Sequence, residues 1–339
     1  MARVQSPMHV AGLGLVLTVL VAFVALSVGT VPISPVETLR ILAERALGAS
    51  LETSPVADPI VWNIRLPRIL AAAGAGAALG LSGTLLQGLF RNKAADPQLV
   101  GLSAIGSVGV LVGLLAGWAL WGPVAGVIGG AIVGVAGAGI IRALNRHSAG
   151  DPSRFILTGI GFGVSVGAIV AAASIAIHDP RIPDVSFWFF GGLAASTWGT
   201  AMWTIVIALV GFAVVYPMRH DLDVLSLGSS SAQHVGLNVG FVTALSLAIA
   251  GLITGAAVGA AGVVAFVGLT AAQLARVVAG NHHRNTLIAS AFVGASFLIA
   301  ADMVGRLVGG RFEVPVGLVT AVVGGPFLVW LITTGRVHR

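Results

Sequence analysis

The stretch 99–141, LVGLSAIGSVGVLVGLLAGWALWGPVAGVIGGAIVGVAGAGII, contains no Asp, Glu, Lys or Arg. An α-helix needs about 20 apolar residues to cross ~30 Å of hydrocarbon, so this stretch is long enough for two spans. They meet at Trp118, Trp121, Gly122 and Pro123, where aromatic rings typical of a membrane interface lie beside turn-forming residues. The stretch therefore predicts a helical hairpin inside a bilayer.

The rest of the chain has a similar composition. Of its 339 residues, 57% are hydrophobic, another 47 are Gly, and only 9% are charged, whereas about 25% of the residues in a soluble domain are charged. This composition excludes a soluble globular protein. The long uniform apolar runs also exclude an outer-membrane barrel, whose strands alternate in polarity. Cysteine is absent, which excludes disulfides and thiolate metal sites.

The apolar runs predict an all-α polytopic membrane protein with about ten transmembrane helices in a single domain, 1–339. The first run is too long for a cleaved signal peptide, whose apolar region has about 7–15 residues. The polar stretch 30–63 is predicted to be an external loop with a short surface helix. The predicted spans are 10–29, 66–90, 99–118, 124–141, 155–177, 200–216, 240–260, 263–278, 287–304 and 316–333.

The distribution of positive charge predicts the orientation of these spans. If the N-terminus lies inside, the inner segments carry most of the 18 Lys and Arg residues, as the positive-inside rule requires. Both termini are therefore predicted to be cytoplasmic.

Small residues recur at every fourth position in several predicted helices, a spacing that lets helix backbones approach closely in lipid. In a chain this rich in glycine, chance is the alternative explanation for any one pair. The glycines with this spacing are Gly76 and Gly80; Gly126, Gly130 and Gly134; Gly159, Gly163 and Gly167; and Gly255 and Gly259.

Two of these segments resemble each other, namely GAALGLSG at 76–83 and GAAVGAAG at 255–262. They lie five predicted spans apart, and because this number is odd, the two helices point in opposite directions. The similarity predicts an inverted internal repeat, over about 65–177 and 238–335, of the kind that transporters use.

The polar residues exclude several kinds of chemistry. The single lysine, Lys93, lies in Arg-Asn-Lys-Ala, so the chain lacks the Gly-Lys-Ser/Thr of a P-loop and is not expected to hydrolyse ATP. Asp302 is the one carboxylate inside a predicted span that suits a proton relay, but Arg306 at i+4 favours an ion pair. The adjacent His282 and His283 are interpreted as solvated loop residues, and no metal site is predicted.

Three mid-span polar residues, Ser82, Thr84 and Gln87, are candidates for lining a transport pathway. Contact with a neighbouring helix explains them equally well.

A series of motifs resembles one known family. They are RLPR at 65–68, GAAL at 76–79, SG at 82–83, LQ at 86–87, RN at 91–92, DP at 96–97, GLS at 101–103, LDVLSLG at 222–228, FVGL at 266–269, HR at 283–284, AD at 301–302, EVPVG at 313–317 and GGP at 324–326. In this order, over about residues 65–335, they resemble the permease family of ABC importers for iron-siderophores, haem and cobalamin. The chain departs from the family at prolines expected near Lys93, Val263, Ala272 and Ile288. This divergence predicts altered helix breaks around Ala272.

The resemblance implies partners and a function. It implies ten helices per subunit, a second permease subunit in a homo- or heterodimer, two cytoplasmic ATPase subunits, and an extracytoplasmic solute-binding protein, in a bacterial inner membrane. ATP and Mg then belong to the ATPase, and this chain is expected to bind no cofactor. The expected cargo is a ferric siderophore, with haem and cobalamin as alternatives. A proton-coupled secondary transporter and a structural membrane subunit without a pathway are the alternatives of other classes.

The resemblance also implies two sets of site residues. Arg65, Arg68 and Arg306, at outer helix ends, match positions that receive acidic residues of the binding protein through exposed charge pairs; interface anchoring is the alternative explanation. The segment 222–237 is expected to dock on the ATPase as two short helices, with an ordinary loop as its alternative. Its candidate residues are Leu222, Leu225, Leu227, Gly228, Ala232 and Gly236.

Overall fold

A computed structural model describes residues 6–48, 54–145, 152–180, 185–308 and 313–333, and all regular structure in these ranges is helical. The helices are α1 (Pro7–Ser27), α2 (Pro35–Leu47), α3 (Ala57–Pro59), α4 (Leu66–Phe90), α5 (Leu102–Trp121), α6 (Val124–Leu144), α7 (Pro152–Ile177), α8 (Val185–Phe190), α9 (Trp198–Val215), α10 (Arg219–Ser226), α11 (Ser229–His234), α12 (Val239–Ala261), α13 (Val267–Ala279), α14 (His283–Val308) and α15 (Val316–Thr333).

Each predicted span coincides with one of these helices, which confirms the all-α multi-pass architecture. In the part of the chain that the structure describes, eight helices are long and apolar enough to cross a membrane, while α13 and α15 are shorter apolar helices. The predicted surface helix in the stretch 30–63 is α2. The predicted span 66–90 is α4, and helical structure also precedes it, because α3 and a π-helical turn, Ile60–Arg65, continue directly into α4.

The π-helical turn has a local cause in the sequence. Pro67 has no N–H and cannot close the usual bond to the carbonyl four residues back. Immediately before it the helix widens, and the N–H of Leu66 bonds to the carbonyl of Val61, five residues back. Arg65 is the last residue of this turn, and Arg68 lies in the first turn of α4.

The two ends of the molecule are distinct. At one end, here the α10 end, α4 finishes and α14 begins beside α10, and α12 follows from α11. The opposite end, here the α2 end, holds the last turn of α1 and the first turn of α4. The first turn of α1 lies at the α10 end, where Val10 packs with Ala275 and Ile288.

Two antiparallel helices, α4 and α12, form the centre. α4 packs on α14, α9 and α13, whereas α12 packs on α6, α5 and α9. Most of α4 is buried. Its long run of Gly and Ala leaves no large side chains to hold the neighbouring helices away.

Backbones touch where α4 crosses α14. A Cβ added to Gly76 would collide with the carbonyl oxygen of Gly294, and a Cβ added to Gly294 would collide with that of Gly76. One turn further along α4, a Cβ on Gly80 would collide with the carbonyl oxygen of Ser290. Only glycine allows this approach, which brings Cα–H groups against carbonyl oxygens.

The contact of α12 with α6 repeats this pattern. A Cβ on Gly255 would collide with the carbonyl oxygen of Gly130, and one on Gly259 would approach that of Gly126. In both helix contacts, the second pair of residues therefore lies four residues later on one helix and four residues earlier on the other. These glycines do face neighbouring backbones, as their spacing predicts. Gly167 on α7, by contrast, has no described atom within 4 Å of an added Cβ.

The missing family prolines leave two helices uninterrupted. α13 runs without a break through Ala272, and α14 runs without a break through Ile288. In α13 the side chain of Gln273 donates to Oε1 of Gln87 and to the carbonyl of Lys93, at 2.9 Å each. These bonds tie α13 to the end of α4.

We expect Gly109→Ala to lower the melting temperature of the detergent-purified chain. A Cβ at Gly109 would collide with the carbonyl oxygen of Gly129 across the contact of α5 with α6, and overpacking of this kind costs about 1–3 kcal/mol. Gly139→Ala on α6 is the matched control, because nothing described lies within 4 Å of its added Cβ. Equal melting temperatures for the two variants would contradict this packing.

Candidate functional site

The segment 222–237 folds as two short helices that lie on the α10 end. Gly228, with φ +124°, separates α10 from α11, and Gly236, with φ +84°, follows α11. Both angles lie in a region that L side chains rarely adopt. The division into two short helices broken at these glycines is therefore as expected from the sequence.

This segment has a buried and an exposed apolar side. Leu222, Leu225 and Ala232 are buried against the body of the protein. Leu227 and Val235 are exposed, at 75% and 71%. Exposed aliphatic side chains on a polar end of a membrane protein form a surface suited to a protein partner.

An acidic side chain on α10 joins this segment to α14. Oδ1 of Asp223 accepts hydrogen bonds from the backbone N–H of His283, at 3.0 Å, and lies 2.7 Å from its Nδ1. Burial opposes ionisation of Asp223, but the hydrogen bonds from His283 outweigh it and lower its pKa. Movement of α10 is thereby linked to the start of a membrane-spanning helix.

The structure corrects the interpretation of the two histidines. His282 is exposed, but the His283 side chain is 2% exposed, with Nε2 directed at Gly88 of α4. The glycine makes room for the imidazole ring. The sequence concealed this burial because the carboxylate partner lies sixty residues away in the chain.

The three arginines of the RLPR region and α14 lie together at the α2 end, but they are not exposed. Arg65, Arg68 and Arg306 have 4%, 7% and 7% of their surface accessible. The expectation of exposed charges at helix ends is wrong in this respect. The physical reason is that each guanidinium already has acceptors within the chain.

Arg68 is held by two carboxylates. Its Nε and Nη2 bond to Asp302 at 2.8–3.1 Å, and its Nη1 bonds to both oxygens of Glu313 at 2.9 Å. Asp302 also lies 3.1 Å from Nε of Arg306, the i+4 ion pair that the sequence favoured. The network therefore joins α4, α14 and the start of α15.

The other two arginines bind the end of α1. Nη1 of Arg65 donates to the carbonyl of Leu26 at 2.5 Å, and Nη2 of Arg306 donates to that of Ala25 at 3.1 Å. The last carbonyls of a helix have no partner within the helix, and cations are favoured at this negative end of the helix dipole. Arg65 also bonds to the carbonyl of Val31. The arginines thus cap α1.

The pathway candidates lie between helices. Ser82 accepts a hydrogen bond from Thr254 of α12 at 2.8 Å, Thr84 donates to its own helix at Gly80, and Gln87 accepts from Gln273. All three are at most 3% exposed. Of the two explanations left open by the sequence, these contacts favour packing against neighbouring helices.

Two carboxylates of the site are not predicted from the sequence. Glu313, in the motif EVPVG at 313–317, is the half-exposed partner of Arg68. Asp96 is buried in the turn after α4, where its oxygens accept from the N–H groups of Gln98 and Leu269 at 2.9 Å. Burial raises the pKa of Asp96 to about 6 against these bonds. A signal did exist, because Asp-Pro after a helix commonly starts a turn.

A cavity of about 440 Å³ opens beside Asp96, between α5, α7 and the turn before α13. Its wall includes Gln98, Ser107 and Phe266. Ser82, Thr84 and Gln87 are not among its lining residues.

The family model of the FecCD transport family matches residues 17–334 of the chain. Among proteins of known role, the hemin transport system permease protein HmuU of Yersinia pestis is 33% identical over 285 residues, which cover 82% of this chain and 85% of that protein. The cobalamin import system permease protein BtuC of Halobacterium salinarum is 34% identical over 252 residues, which cover 74% and 67%.

A solved structure also resembles this one. It is described as an inward-facing conformation of a metal-chelate type ABC transporter. The TM-score is 0.79 at 25% sequence identity, and the match covers 97% of this chain and 100% of the other. The helices and their arrangement are therefore shared over nearly the whole chain.

We expect Asp302→Ala to destabilise the protein by about 3–5 kcal/mol, since it leaves two buried guanidinium groups without their shared carboxylate. Thermal unfolding in detergent measures the loss. Arg40→Ala is the control, because Arg40 forms only a long, exposed ion pair with Glu37, worth about 0–1 kcal/mol. A melting temperature for Asp302→Ala as high as that of Arg40→Ala would contradict a buried network.

Proposed function

The chain belongs to the FecCD transport family and is a permease of an ABC importer, and from this we propose that it carries a ferric siderophore across a bacterial inner membrane. The energy comes from ATP and Mg bound by a separate ATPase subunit. This chain supplies the pathway and binds no cofactor of its own. The match to the family model over residues 17–334 is the observation that carries the proposal.

The choice of cargo has its own support. The resemblance around 222–228 and 283–284 favours ferric-chelate permeases, and the similar solved structure is of a metal-chelate type. Haem and cobalamin are the second candidates, since relatives at 33% and 34% identity are named for hemin and cobalamin. All three cargoes are bulky chelates, so the same architecture suits each of them.

Each end of the molecule is assigned a different partner. Two ATPase subunits dock at the α10 end, on the surface formed by α10 and α11, and a solute-binding protein docks at the α2 end. The exposed Leu227 and Val235 support the first contact. A second permease subunit, identical or different, completes the pathway. Both termini are placed in the cytoplasm by the positive-inside rule.

The inverted repeat, over about 65–177 and 238–335, supports a transport cycle. The contact of Gly76 and Gly80 with α14 has the same register as that of Gly255 and Gly259 with α6. This match supports equivalent roles for α4 and α12, which run in opposite directions. Transporters use such repeats to expose one site alternately to each side.

The docking role of the arginines takes a different form from the one the sequence suggested. Arg65 and Arg306 are occupied by α1, so Arg68 is the residue best placed to receive a partner. Its bond to Glu313 is the accessible part of the network, because the Glu313 side chain is 47% exposed. An acidic side chain of the binding protein would replace Glu313 at Nη1 of Arg68.

The first experiment reconstitutes the permease with its ATPase and binding protein in proteoliposomes. We expect uptake of a ferric siderophore that requires ATP inside, and no uptake when the P-loop lysine of the ATPase is replaced. Uptake of only haem or cobalamin would overturn the cargo and leave the importer intact. Uptake driven by a pH gradient without the ATPase would contradict the importer itself.

The coupling surface is tested with Gly228→Val. A branched side chain at φ +124° strains the junction of α10 and α11, so ATP hydrolysis should continue while most of the transport is lost. Gly48→Val is the control, because Gly48 also has positive φ, at +66°, but ends α2 at the opposite end. Full transport by Gly228→Val at normal expression would contradict the coupling role.

The docking surface is tested with Glu313→Gln. Freeing Nη1 of Arg68 should strengthen binding of the solute-binding protein at low salt by up to about fivefold, the range of one exposed ion pair, and salt should weaken the gain. Glu37→Gln, beside the exposed Arg40, is the control. Unchanged affinity for Glu313→Gln would limit Arg68 to a structural role.

A further inference from the structure

A groove of about 310 Å³ runs along α4, between α9 and α14, with Thr18 of α1 also in its lining. Its floor is made of small residues of α4, so α9 and α14 rest on α4 while a gap is left between them. The lining residues are Thr18, Ala73, Gly74, Ala77, Leu81, Ile205, Ala208, Leu209, Phe212, Ile288, Ala291, Phe292 and Ala295. Thr18 alone is polar, and its hydroxyl is already bonded to Gly14 and Ser296.

A row of side chains leads from this groove to the α10 end. Phe212 closes the groove there, and its ring stacks on Tyr216 with centroids 5.1 Å apart. The guanidinium of Arg219 lies over the Tyr216 ring, 4.9 Å from its centroid, and its Nη1 donates to the Tyr216 carbonyl at 3.1 Å. Tyr216 begins the 3₁₀ turn Tyr216–Met218 that follows α9, and Arg219 is the first residue of α10.

Arg219 retains an unused donor. Its Nε is buried and has no hydrogen-bond acceptor among the described residues, and no carboxylate of the described ranges forms an ion pair with it. A buried guanidinium N–H without an acceptor is costly. The nearby carboxylate on the same helix, Asp223, is engaged by His283 instead.

We propose that this groove holds one acyl chain of an anionic phospholipid, whose phosphate accepts a hydrogen bond from Arg219. The apolar lining suits a hydrocarbon chain, and the cation of Arg219, next to Tyr216 and Phe212 at the end of the groove, suits the phosphate. A zwitterionic lipid brings its own cation and gains less from Arg219. All of its lining residues belong to this one chain, so the site requires neither an ATPase nor a binding protein.

Native mass spectrometry of the full-length chain tests the proposal. The chain is purified from nanodiscs that contain equal amounts of dioleoyl phosphatidylglycerol and dioleoyl phosphatidylcholine, and the retained lipids are counted. We expect about a fivefold preference for phosphatidylglycerol, the ratio equivalent to the ~1 kcal/mol of one basic residue near an anionic membrane surface. Equal retention of the two lipids would overturn the proposal.

Three variants distinguish binding of the lipid headgroup from binding of the acyl chain. Arg219→Gln should abolish the preference, and Ala77→Leu, which fills the floor of the groove, should reduce retention of both lipids. Arg142→Gln is the control, since Arg142 lies at the same end but donates to the carbonyl of Gly240 in the first turn of α12. Unchanged preference in Arg219→Gln, or unchanged retention in Ala77→Leu, would overturn the site.

A thermal-melting experiment still tests the proposal if a variant is less stable than the unaltered chain. Added phosphatidylglycerol should raise the melting temperature of the unaltered chain and of Arg142→Gln, but not that of Arg219→Gln. An equal rise in all three would contradict the proposal. A dimer mass that is seen for the unaltered chain and disappears in Ala77→Leu would also contradict it. The occupant of the groove would then be a second copy of the chain.

Discussion

The structure depends on direct contact between helix backbones. In a bilayer, lipid tails are as apolar as the helices, so burial of apolar side chains does not hold the helices together as it does in water. Close packing and Cα–H contacts to carbonyl oxygens take its place. Gly76 against Gly294 and Gly255 against Gly130 are the clearest examples, and they explain why glycine is required at these four positions.

The few charges are concentrated at the two ends. At the α2 end, Arg68, Asp302 and Glu313 join three helices, while Arg65 and Arg306 cap α1. Buried ions of this kind are tolerated only when each has a partner. At the α10 end, Asp223 and His283 connect the docking segment to α14. Each end thus has a polar contact that joins helices distant in the sequence.

Much of the fold could be predicted from local sequence. Hydropathy gave every membrane helix within a few residues, and the glycine spacing indicated which faces approach other backbones. Glycines at 228 and 236 marked the breaks of the short helices. The burial of His283 and Arg68 could not be predicted in the same way, because their partners Asp223, Asp302 and Glu313 are distant in sequence. From sequence alone, a charged residue at a helix end is expected to be exposed, because its acceptor within the protein is not known.

The central claim is that two equivalent backbone contacts, each joining a helix of the first half of the chain to a helix of the second, hold the membrane domain together. Thermal unfolding of Gly76→Ala and Gly255→Ala in detergent tests it most directly, with Gly139→Ala as the reference. Because each added Cβ collides with a carbonyl oxygen, both variants should melt at temperatures well below the reference and by similar amounts. A melting temperature equal to the reference for either variant would contradict the claim.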